Sequence, residues 1–188
     1  LLTLSQSGDT KELINEILEQ AKDMASSGDE IGASRFLAVA AHVANTTAKN
    51  GVPATPQFFE SAVKSLSVIR VQPDMLKSVI EAKVSLAAYR SSLNDTSGFS
   101  IMRERKSPVE ISLGFTVANS SFRGGTQPLD GMNWVNVLFI DAHIVYNGGP
   151  VTLHNVRFVN CTFSVPDSIR GDSLLDAAIL NQAFTKIG

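Results

Sequence analysis

Over the first hundred residues, apolar side chains recur at the i, i+3, i+4 spacing that gathers them on one face of a helix. Leu13, Ile14, Ile17, Leu18, Ala21 and Met24 form the first run; Asp9 and Glu12 open it as a capping pair, and Ser26, Ser27 and Gly28 break it. Ile31, Phe36, Leu37, Ala40, Val43 and Ala44 form a second, stopped by Asn50-Gly51, so these two runs predict an antiparallel helix pair. Thr55-Pro56 then supplies an N-cap followed by a first-turn proline, opening a helix through Phe59, Val63, Leu66 and Ile69. Pro73-Asp74 starts a fourth, through Leu76, Val79, Ile80, Lys83, Leu86 and Ala87 to about Leu93. Asn94, Asp95, Ser97 and Gly98 read as a polar hinge. The second helix is crowded with alanine at positions 33, 38, 40, 41, 44 and 48, which lets a neighbouring helix approach its backbone and makes it the expected centre of a helical bundle. Tetratricopeptide-type hairpins share such small contact residues, but their aromatic and glycine positions are not matched here and no 34-residue period is present.

Beyond Gly98 the period changes to strand-like alternation, and an internal repeat emerges. Met132–Ile144 lies 19 residues ahead of Val151–Phe163, and the two align without a gap: Asn136 with Asn155, Val137 with Val156, Phe139 with Phe158. A weaker copy, Phe115–Phe122, aligns at a 22-residue offset, which sets Asn119 against Asp141 and Asn160, and Ser120 against Ala142 and Cys161. On that alignment Val117, Phe139 and Phe158 form one inward column and Phe122, Ile144 and Phe163 another. Asn119, Asp141 and Asn160 form a polar ladder, and Gly124-Gly125 corresponds to Gly148-Gly149 in the loops.

A period near 20 residues with strand alternation is what stacked parallel strands produce, about 4.8 Å apart. Residues 109–163, and above all Asn-Val-Arg-Phe-Val-Asn-Cys-Thr-Phe at 155–163, resemble the right-handed parallel β-helix proteins, the pectate-lyase-like superfamily. Joined to the N-terminal helical bundle read over residues 1–98, it gives an α+β chain, in which the resemblance implies for 99–188 a short right-handed parallel β-helix, or β-solenoid, of about three coils. The helix read at Asp172–Asn181 would plug the last coil. It is a likeness of pattern and carries no catalytic signature. Three coils rise only about 15 Å, barely enough for the polysaccharide groove of the enzymes in that superfamily.

Composition narrows function mainly by exclusion. The 16 basic and 18 acidic residues divide 9 to 11 before Gly98 and 7 to 7 after it, so neither half carries the basic footprint of a nucleic-acid binder. The longest nearly apolar stretch, Phe36 to Ala44, falls far short of the roughly 20 residues that span a bilayer. A lone cysteine, Cys161, gives no intramolecular disulfide framework and no thiol ligand set, and fits a reducing, cytoplasmic setting. The chain starts at Leu1 without the features of a signal peptide, and reads as a piece of a longer one. Four Asn-x-Ser/Thr triplets, at Asn45, Asn94, Asn119 and Asn160, are frequent enough by chance to be set aside.

No group of residues makes a convincing site. His42 reads as a packed or surface histidine on the alanine-rich helix; His143 and His154 fall at non-equivalent positions of the repeat. Asp141 and His143 lie two apart on a strand, too few for a metal centre. Glycoside hydrolysis needs paired carboxylates, and Glu104, Glu110, Asp130, Asp141, Asp167, Asp172 and Asp176 do not pair by alignment. Cys161 reads as a buried, inert thiol, and Trp134 and Tyr146 as packing rather than a sugar-stacking face. No catalytic, cofactor-binding or metal-ligating residue is assigned. The expectation is a non-enzymatic assembly or protein-interaction module, homo-oligomeric or bound to a protein partner, with a carbohydrate-active enzyme or carbohydrate-binding module as the alternative.

Overall fold

The computed structural model describes residues 23, 56–69, 75–97, 99 and 114–188. The two helices predicted before residue 51, with His42 on the second, lie outside the described residues except for Asp23, which is helical and exposed; so does the linker 101–107. The chain divides into two compact units, Leu1–Tyr89 and Arg90–Gly188.

In the first unit, helix α1 spans Pro56–Ile69 and α2 begins at Leu76, running on to Leu93. Pro56 stands at the first helical position, where its missing N–H and fixed φ cost nothing. Phe59, Ala62, Val63 and Leu66 of α1 are buried, as are Val79, Ile80, Ala82, Leu86 and Ala87 of α2; the rings of Phe59 and Tyr89 meet with centroids 5.8 Å apart. Two helices are what this unit shows among the described residues, and the expected helical bundle is not seen. Among the described residues no helix is long and apolar enough to cross a membrane.

The described residues of the second unit form seven strands. Strands β1 (Phe115–Arg123), β3 (Met132–Ile140) and β5 (Val151–Val159) pair in parallel, and β7 (Phe184–Ile187) adds antiparallel to β5, giving a four-stranded sheet in the order β1-β3-β5-β7. The short strands β2 (Thr126–Pro128), β4 (His143–Val145) and β6 (Thr162–Ser164) form a separate three-stranded parallel sheet. The expected parallel β-helix is therefore corrected to two open sheets, the larger of them mixed, beside three helices. Each repeat supplies one nine-residue and one three-residue strand, and among the described residues no further sheet closes the circuit into a solenoid. The parallel series also stops at β5, because β7 takes the next place running the other way.

Residue pairing explains where the repeat was misread. Between β3 and β5 the 19-residue offset holds, with Val137 beside Val156 and Phe139 beside Phe158. Between β1 and β3 the offset is 17, not 22: Phe122 lies beside Phe139, and Val117 beside Trp134. The columns are therefore Val117, Trp134, Leu153 and Phe122, Phe139, Phe158, with stacked rings 5.6 and 5.5 Å apart along the second. Ile144 pairs with Phe163 as foreseen, but its other neighbour is Gln127 in place of Phe122, and Ser120 pairs with Val137, so Phe122 and Ser120 do not belong to the columns foreseen for them. Asp141 and Asn160 share a left-handed backbone, φ 52° in each, and the residue 17 before Asp141 is Gly124, at φ 69°. Glycine meets that backbone demand without a side chain, which hid the equivalence.

Helix α3 (Ile169–Leu180) starts three residues earlier than predicted because Ser168 caps it, its hydroxyl accepting from the Gly171 N–H at 3.1 Å. Leu174, Leu175, Ala178 and Ile179 are buried, and Asn181 ends the helix at φ 48°. The exposed edge of β5 is covered by β7, not by this helix, since a helix has no spare backbone groups to offer a strand.

Candidate functional site

The side chains of the second unit are largely committed to one another. Asn155 Nδ2 donates to Asn136 Oδ1 at 2.9 Å, and Asn136 Nδ2 to Asn119 Oδ1 at 3.1 Å, while all three residues hold φ near 50°. This is an amide ladder, and Asn119 belongs to it, not to the row of Asp141 and Asn160. In that second row Asn160 Nδ2 donates to Asp141 Oδ1 at 2.8 Å, and Arg123 pairs with Asp141 Oδ2 at 3.0 Å. Both rows need short polar side chains that tolerate left-handed backbone and can hydrogen-bond locally, which selects Asn and Asp.

The candidate chemical groups are taken up in the same way. His143 has Thr162 Oγ1 2.9 Å from Nδ1 and Ser164 Oγ 3.1 Å from Nε2, so both ring nitrogens face hydroxyls of β6. His154 meets the Phe184 ring edge-on at 6.0 Å. Trp134 is buried and donates its indole N–H to Leu129 O; Tyr146 is buried and donates its hydroxyl to Gly149 O at 2.7 Å. Neither ring offers a sugar-stacking face. Burial, with the Asp130 charge adding to it, pushes the Tyr146 hydroxyl above its ordinary pKa. Cys161 is buried with Sγ 3.4 Å from Val159 O and 3.5 Å from Phe139 O, and burial raises its thiol too. A thiol so held is a poor nucleophile.

Among the acids, Glu104 and Glu110 lie outside the described residues. Asp130, which sequence reasoning passed over, brackets the next repeat: its carboxylate accepts from Asn147 N at 2.9 Å, Asn147 Nδ2 at 3.2 Å and Gly149 N at 2.7 Å. The cue available in the sequence was position, since Asp130 precedes Asn147 by the 17 residues that separate β1 from β3. Asp172 is buried in the first turn of α3, where the helix dipole favours a carboxylate. Asp167 is exposed. No group of three or more His, Cys, Asp and Glu side chains suited to a metal ion occurs among the described residues.

What sets one place apart is the contrast between the two ends of the repeat. At the β5 end, β7 pairs with Val151–His154, and Ser91 of α2 together with residues read as a hinge holds Arg157–Cys161. Asn160 N donates to Ser91 O at 2.9 Å and Cys161 N to the Ser91 hydroxyl at 2.6 Å; Asn94 Nδ2 donates to Phe158 O at 2.8 Å, and Arg157 to Ser97 O at 3.0 Å. At the other end β1 is an edge strand nine residues long, with no strand beyond it among the described residues. Phe115 is 84% exposed, Val117 and Phe122 are half-buried, and Asn119 Nδ2, the last donor of the ladder, has no acceptor among the described residues. The equivalents of Val117 and Phe122 one repeat on, Trp134 and Phe139, are buried. The feature that could serve a partner is thus an open strand edge with an apolar rim.

Comparison with protein families, with curated protein sequences and with solved structures returned no match to this chain. The resemblance to the pectate-lyase-like superfamily accordingly has neither a matching relative nor a closed sheet behind it, and it is withdrawn.

Proposed function

We propose that this chain is a non-enzymatic assembly or protein-interaction module that works through the free edge of β1. The observation carrying this reading is the asymmetry of the larger sheet: one edge closed by β7, the other left as a nine-residue strand with Phe115 in solvent. An open edge presents unpaired N–H and C=O groups that template a further strand, and natural proteins normally blunt it with charge or proline. Strand β1 has no proline, and its single charge, Arg123, stands at the last position and is paired with Asp141. Strand addition draws affinity from main-chain hydrogen bonds and specificity from alternate side chains, which matches an edge poor in chemistry but rich in backbone. The test is light scattering coupled to size exclusion on the whole chain over a range of concentrations. The reading predicts a mass rising above the 20.1 kDa of one chain, or a stable complex with a protein partner. A strict monomer at high concentration that also retains no partner would overturn it.

A further inference from the structure

We infer that the occupant of the β1 edge is β1 of a second copy, running antiparallel; this rests on the reading of the edge as an assembly surface and specifies the partner. Length argues first. Among the described residues the other free edge of this sheet belongs to β7, which is four residues long and carries Lys186, so a head-to-tail contact would leave most of the nine residues of β1 unpaired. A second β1 matches in full. Charge then chooses the direction: a parallel, in-register pair would set Arg123 beside Arg123, which is destabilising, whereas an antiparallel pair sends the two arginines to opposite ends.

The faces of the strand select one register. Val117 and Phe122 are on the core side, beside Trp134 and Phe139, while Thr116, Ala118, Ser121 and Arg123 are exposed. The left-handed backbone at Asn119 shifts the alternation, so that 117 and 122, five apart, share a face. Pairing Val117 of each copy with Phe122 of the other keeps that pair on the core side, while Ala118 meets Ser121 and Thr116 meets Arg123 on the outer face. Asn119 comes opposite Ser120, whose hydroxyl donates to Ala118 O at 2.9 Å and keeps a lone pair for the unused ladder amide. Each pair occurs twice about the two-fold axis, as an isologous interface requires. Such a dimer leaves no nine-residue edge open.

Cysteine cross-linking tests the register. Ala118→Cys and Ser121→Cys are exposed positions, and the native Cys161 is buried. The double variant is expected to give a non-reducible-by-dilution, thiol-reversible dimer at least about ten-fold more abundant than either single variant, because opposite residues see each other at high effective concentration. No excess over the single variants would overturn the inference. Light scattering of the unaltered chain separates the two levels: assembly without this cross-link removes the β1 dimer and leaves the module reading standing, whereas a strict monomer with no partner removes both. Should the double variant misfold, hydrogen exchange on the unaltered chain decides instead. Amides of β1 that gain no protection with concentration would count against the dimer.

Discussion

Asn136 stands in the middle of the amide ladder, donating to Asn119 and accepting from Asn155, at φ 53°. A left-handed backbone disfavours side chains without local hydrogen bonds by about 1–2 kcal/mol, and each exposed amide bond adds less than the usual ~1 kcal/mol. Asn136→Ala should therefore destabilise the second unit by about 1–2 kcal/mol, and Asn136→Gly by less, since glycine restores the backbone freedom. Trp134, the one tryptophan of the chain, reports the denaturation midpoint by its fluorescence. A second prediction concerns pH. Burial raises the pKa of both Cys161 and Tyr146 in the fold, so the unfolded chain loses these protons first. Stability is full below the unfolded thiol pKa of about 8.5 and falls as pH rises through it and then past about 10 for the tyrosine. The Trp134 midpoint should be lower at pH 10 than at pH 7, and Cys161→Ala should remove the part of the decline that begins near the thiol. The asparagines were legible in the sequence because their backbone demand recurs: all six non-glycine residues with positive φ among the described residues are Asn or Asp. Gly124 was not legible, because it meets the same demand with no side chain to align.

At the scale of elements, helix ends and corners are held by single side chains whose removal is measurable. Ser91 closes the last repeat, its hydroxyl accepting from Cys161 N and its carbonyl from Asn160 N. Ser91→Ala leaves the buried Cys161 N–H without that acceptor, for which about 1–3 kcal/mol is the usual penalty; faster hydrogen exchange at the Cys161 amide is the expected readout. In α3, a Cβ at Gly171 would press into the Pro166 carbonyl, a backbone atom that cannot swing aside. Gly171→Ala should destabilise the fold by about 1–3 kcal/mol, the range for overpacking, and lower the Trp134 denaturation midpoint accordingly. The start of α1 and the end of α2 were readable because Pro56 and the polar run after Leu93 act locally. Strand β7 was not, since Phe184–Ile187 is four residues long and only the open edge of β5 makes it a strand. The polar residues after Leu93 read as a hinge because composition says nothing of the Phe158 carbonyl that Asn94 meets.

For the whole molecule, the 19-residue repeat was enough to find two of the three parallel strands, and not enough to tell a closed coil from an open pair of sheets. That distinction rests on how many strands each repeat contributes and on what ends the series, both properties of tertiary pairing. The same pairing creates the one candidate site, which no motif announces: β1 is marked only by where it lies, with its neighbours buried and its own rim in water. The most direct test of that account is hydrogen exchange on the unaltered chain, followed across β1 and β5 at low and high concentration. The account predicts that Val151–Val159 is protected throughout, while the amides of Phe115–Arg123 that do not bond β3 exchange fast when dilute and become protected as concentration rises. Protection of β1 equal to that of β5 at every concentration would show that its edge is already covered, and would contradict the account.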